Sequence, residues 1–145
     1  MVDGRGLIVV DQAGRRTVAF GGPEAAAVAA ARQIYGEAEK VESLEECGAG
    51  PLQVSKFAGL TLAAQDGKFV GWWLDGRAKP PLPKTAAGIG IGSTRAKLDA
   101  AYSLDEFESS LGNEFTADGF AGLISGEGNS GKITHLWAGA TCIMR

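Results

Sequence analysis

The chain has 145 residues, 45% of them hydrophobic, with a formal net charge of −3 and an isoelectric point near 5.2. That length and apolar content suit one compact domain with a substantial core. The acidic balance lacks the clustered Lys and Arg with which a nucleic-acid binder neutralises phosphates, and no run of about 20 apolar residues is present to span a bilayer as a helix.

In chain order, the start Met1-Val2-Asp3-Gly4 has neither the basic nor the apolar region of a secretory signal. This leaves a cytosolic chain or one whose targeting segment lies outside the sequence. Residues 7–10 and 16–20 are β-branched and apolar, and Asp11-Gln12-Ala13-Gly14 between them predicts an opening hairpin. Its Arg15-Arg16 pair reads as a solvated strand end.

Residues 23–35 turn Ala-rich, with Pro23 in the first turn, Glu24 near the positive end of the dipole and Gly36 at the cap, and predict a helix with Ala27, Ala30, Ala31 and Ile34 on one face. The acidic stretch through Glu46 reads as a connector, followed by a short strand near Cys47 and an irregular turn at Gly48-Ala49-Gly50-Pro51. Residues 52–57, 60–64 and 68–74 read as strands, the last two joined by Asp66-Gly67. Strict alternation in the last strand sets Phe69, Gly71 and Trp73 on one face and Val70, Trp72 and Leu74 on the other.

Residues 76–84 hold Pro80-Pro81-Leu82-Pro83 and read as an extended linker; the alternative, a proline-rich ligand for a WW-type domain, is the lesser reading. Beyond it, residues 86–91 suggest a short strand, and Ser93 or Thr94 caps a helix ending at Tyr102. Residues 103–111 fit either a capped helix or a strand, with the strand favoured. Residues 120–124 and 133–137 read as strands, and 138–144 continue the second.

A repeat organises these elements. Phe57-Ala58-Gly59-Leu60, Gly67-Lys68 and Trp73 recur in order as Phe120-Ala121-Gly122-Leu123, Gly131-Lys132 and Trp137. The expected architecture is an α+β domain of two tandem β-α-β-β-β modules, residues 1–75 and 85–145, with helices packed on antiparallel sheet.

No segment carries a catalytic signature. Gly88-Ile89-Gly90-Ile91-Gly92-Ser93-Thr94 opens a helix as an anion site would, through the amides of Gly92, Ser93 and Thr94 with Arg95 beside them. The spacing is not that of a dinucleotide fingerprint, and there is no phosphate-loop lysine. An ordinary strand end and helix cap is the plainer reading. The single histidine, His135, reads as a strand-face residue, and the carboxylates read as solvated faces without calcium-loop spacing. No cofactor or metal is expected.

Of the three tryptophans, Trp73 and Trp137 hold equivalent positions and read as core pillars, which leaves Trp72 on the opposite face as the candidate contact with a partner. The function expected is a non-enzymatic module that binds another protein through sheet-face aromatics, chiefly Trp72. The alternative is a small-ligand or anion binder at the Gly92-Ser93-Thr94 helix start. Cys47 and Cys142 are either buried thiols or a bridge; a bridge would close a loop of about 95 residues and restrict the unfolded chain by about 4 to 5 kcal/mol in the chain-entropy model.

The segments from Gly88 to Tyr102 and from Lys132 to Cys142, with Glu46-Cys47-Gly48-Ala49-Gly50-Pro51, resemble those of exported bacterial proteins without assigned activity. More remotely, a Gly-Ser-Thr turn opening a helix, followed by antiparallel sheet and duplicated, is similar to the β-lactamase inhibitor protein and to the SmpA/OmlA outer-membrane assembly lipoproteins. The resemblance implies a Cys47–Cys142 disulfide, a periplasmic or secreted location, and action by binding. The lipoproteins' lipobox is missing here, and none of the inhibitor's contact residues carries over by motif.

Overall fold

The computed structural model describes residues 1–48, 50–75 and 83–142, so most of the expected linker, residues 76–82, lies outside the described residues. The chain begins with β1 (Val2–Asp3), β2 (Gly6–Asp11) and β3 (Gly14–Ala19), a small antiparallel sheet in that order. Next come α1 (Glu24–Tyr35), β4 (Lys40–Leu44), β5 (Leu52–Phe57), β6 (Leu60–Gln65) and β7 (Lys68–Leu74). The remainder is α2 (Arg95–Ala101), β8 (Asp105–Ser109), β9 (Gly112–Ala117), β10 (Phe120–Ser125), a 3₁₀ turn (Gly128–Ser130) and β11 (Lys132–Gly139). Eight strands form one antiparallel sheet in the order β4-β5-β6-β7-β11-β10-β9-β8.

This corrects the α+β expectation. Strands take 49% of the described residues and helical turns 16%, so the protein is mostly β, built on two antiparallel sheets. The β-α-β-β-β module does not form either. The opening hairpin belongs to the small sheet, and each half of the large sheet is a helix followed by four strands. Residues 86–91 turn instead of extending, because Gly88 adopts a φ of 84° and Thr85 and Ile89 close a tight loop through Thr85 N–H to Ile89 O at 2.8 Å and Ile89 N–H to Thr85 Oγ1 at 3.2 Å. Residues near Cys47 also turn, while the charged run before them is β4.

The two halves match in detail. The residue before each helix, Pro23 or Thr94, makes an isolated antiparallel bridge to the first residue of its half's last strand, Lys68 or Lys132. Each last hairpin carries a bulge, between Ala63 and Ala64 in one half and Leu123 and Ile124 in the other. The Phe-Ala-Gly-Leu match, in contrast, falls on non-equivalent places: Ala58-Gly59 is the β5–β6 turn, and its topological counterpart is Asp118-Gly119.

The halves meet along β7 and β11, where Leu74, Trp73, Trp72 and Gly71 face Leu136, Trp137, Ala138 and Gly139. At the end of this seam Gly139 has a φ of 73°, and a Cβ there would strike Val70 O, just as one on Gly71 would strike Ala140 O. Two glycines let the backbones close.

The main core lies on one face of the large sheet. Phe57, Leu62, Phe69, Trp72, Phe115 and Leu136 from the sheet join Ala27, Ala30 and Ala31 of α1, Leu98 of α2 and Val2, Leu7 and Val18 of the small sheet. Alanines on α1 let the helix lie close to the strands. Ile34, expected on that stripe, is instead 57% exposed. Tyr35 is half-buried near Phe57, and its burial pushes the phenol pKa up to about 12.

Candidate functional site

Trp72 does not present itself to a partner, which corrects its assignment as the contact residue. It is 0% exposed, and its indole N–H donates to the Asp3 carbonyl at 2.9 Å, tying the small sheet to the large one. The bulge in the β6–β7 hairpin is the physical reason: an extra residue breaks the alternation, so Phe69, Trp72 and Leu74 all enter the main core. Trp73 is then left on the other face.

That other face has its own small cluster of Cys47, Leu52, Val54 and Ala63, against which Trp73, Val70, Leu44 and Cys142 pack. Cys47, from the loop between β4 and β5, is bridged to Cys142, just beyond β11, with the two Cα atoms 5.0 Å apart. The bridge therefore joins the first half of the sheet to the second across the Trp73 face. No helix belongs to this cluster.

Trp73 and Trp137 sit directly opposite each other across the seam. Trp137 is nearly covered, at 7% exposure, whereas Trp73 is partly exposed. Together with Asp75, Leu111, Leu123 and His135 they line a mainly apolar hollow of about 270 Å³. Trp137 also borders a second hollow of about 480 Å³, shared with Asp105, Thr116 and Ala121. The surface thus offers the partly exposed indole of Trp73, with the buried Trp137 beside it on the paired strand.

His135 is exposed on β11, with its Nδ1 2.9 Å from the Thr134 hydroxyl, and no serine or cysteine stands among the described residues lining its hollow. Nearby, Glu114 is fully buried and accepts a hydrogen bond from Ser109 Oγ at 2.9 Å. Strand alternation alone does not reveal this burial.

The helix-start site is also corrected. Gly92 N–H donates to Ile133 O at 2.8 Å, Ser93 N–H to Gly90 O at 3.1 Å, and Arg95 N–H to Gly131 O at 2.8 Å. Thr94 caps the helix by accepting from Lys97 N–H, and the Arg95 guanidinium pairs with Glu106. The Gly92 and Arg95 amides hold the turn against the start of β11 and the Ser93 amide closes the loop on Gly90, so these three are engaged within the protein, while Arg95 Nε is buried without a hydrogen-bond partner among the described residues. The sequence showed the donors but not the strand that takes them.

Among the described residues no group of three or more His, Cys, Asp or Glu side chains could hold a metal ion, and no helix is long and apolar enough to cross a membrane. No protein-family model, curated protein or solved structure matches the chain.

Proposed function

We propose that this chain is an exported binding protein that holds another protein against the face of its eight-stranded sheet bearing Trp73 and Trp137. The observation that carries this reading is the indole pair across the β7–β11 seam, flanked by a hollow on the face opposite both helices. Aromatic side chains on a rigid support supply large contact area at low entropic cost. Fixed by cross-strand pairing and by the neighbouring disulfide, these two reorganise little on binding. Export accords with the Cys47–Cys142 bridge, since such bonds persist in oxidising compartments. The likeness drawn from sequence to the β-lactamase inhibitor protein and the SmpA/OmlA lipoproteins points the same way, because those proteins act by binding.

The test compares the parent chain with Trp73→Ala, both verified as folded by near-ultraviolet circular dichroism, as baits in a periplasmic extract. A partner retained by the parent and lost by the variant is expected. Oxidative footprinting of the complex should protect Trp73 and Leu123. Protection confined to the helical side would overturn the reading.

A further inference from the structure

We propose that β4 is a self-association edge, through which two copies of this chain pair antiparallel about a two-fold axis at Val41 and continue the sheet from one subunit into the next. This does not depend on the Trp73 reading.

β4 ends the strand order, and among the described residues it pairs only with β5, so its outer row of backbone groups faces outward. Its second residue is Val41, 69% exposed and the most exposed large hydrophobic side chain described. Lys40 and Glu42 flank it and project to the opposite face. Lys40 lies directly opposite Lys56 of β5, and Glu42 bridges the two lysines at 3.0 and 2.9 Å. Lys40 therefore has a like charge on its inner side.

Charge selects the partner and the register. With Val41 opposite Val41 of the partner subunit, Lys40 faces Glu42 of the partner subunit and Glu42 faces Lys40 of the partner subunit, so both pairs are complementary. Centring the axis on Glu42 or on Lys40 opposes like charges. The other edge, β8, reads Asp105-Glu106-Phe107-Glu108-Ser109 and excludes itself: an axis at Phe107 sets Glu106 against Glu108 twice. Joining β4 to β8 with Val41 against Phe107 sets Glu42 against Glu106. Of these pairings, only β4 with β4 matches both hydrophobic and charged positions.

Sedimentation equilibrium of the full chain at low salt, where exposed pairs are least screened, tests this. A monomer–dimer equilibrium is expected, with Val41→Lys raising the dissociation constant roughly tenfold or more. Lys40→Glu and Glu42→Lys should each weaken self-association. An equimolar mixture of those two variants should form a heterodimer at least as tight as the parent, since both cross-strand pairs become opposite in sign. Circular dichroism confirms that each variant is folded. A parent that stays monomeric into the millimolar range overturns the proposal, as does a mixture that fails to pair or a parent that forms open-ended polymers.

Discussion

The two faces of the eight-stranded sheet are held by different means. On one, strands, helices and the small sheet bury Trp72 in a continuous apolar core. On the other, a smaller cluster beside Trp73 is secured by a covalent bridge. Neighbouring tryptophans thus stand in different settings, Trp72 fully buried in the main core and Trp73 partly exposed beside the smaller cluster. The second face is held by a small buried cluster and the bridge, with no helix in that cluster among the described residues.

The largest expected effect is on the covered face. Trp72→Ala removes a fully buried indole and its hydrogen bond to Asp3, and should cost about 3 to 5 kcal/mol in urea denaturation. A loss near zero would erase the contrast between the faces. On the other face, replacing Cys47 and Cys142 together by serine should cost about 2 to 4 kcal/mol, read in the same experiment against the oxidised parent. Gly139→Ala probes the seam common to both faces; with φ at 73° and Val70 O in the way, a loss of about 1 to 3 kcal/mol is expected from thermal melts.

Trp73→Ala sharpens the comparison most directly, because the side chain is partly exposed. It should cost about 1 to 2 kcal/mol while removing partner capture. The smallest effect concerns pH. Tyr35 has its pKa raised from 10.0 to about 12 by burial, so between those values the unfolded chain releases the phenolic proton while the folded chain retains it. Its contribution to stability is full below pH 10 and declines as pH rises towards about 12. In alkaline denaturation curves, Tyr35→Phe should remove that part of the decline.

Much of the fold was legible wherever one physical signal dominated. The Ala-rich run with Pro23 and Gly36 gave α1, and the turn residues gave the opening hairpin and the Asp66-Gly67 turn. β4 was missed because an edge strand carries charges where a central one carries apolar residues, so Lys40-Val41-Glu42 looks like a connector. β9 was missed for a related reason: Glu114 interrupts its apolar pattern, yet is buried and hydrogen-bonded to Ser109. Trp72 and Trp73 were correctly set on opposite faces, but which face the helices cover is a tertiary fact. The bulge beside Ala63 removed the remaining clue by moving Phe69 onto the face of Trp72.

The pairing of β7 with β11 gives the last strand of each half its second neighbour. Cut between them, the first half would end in a border strand bearing Phe69, Trp72 and Leu74 beside unpaired backbone, a ready template for clumping. Fusion into one chain supplies each such border with a mate from the same place in the other half, at high local concentration. Separately expressed halves should consequently be insoluble alone and recover order when refolded together.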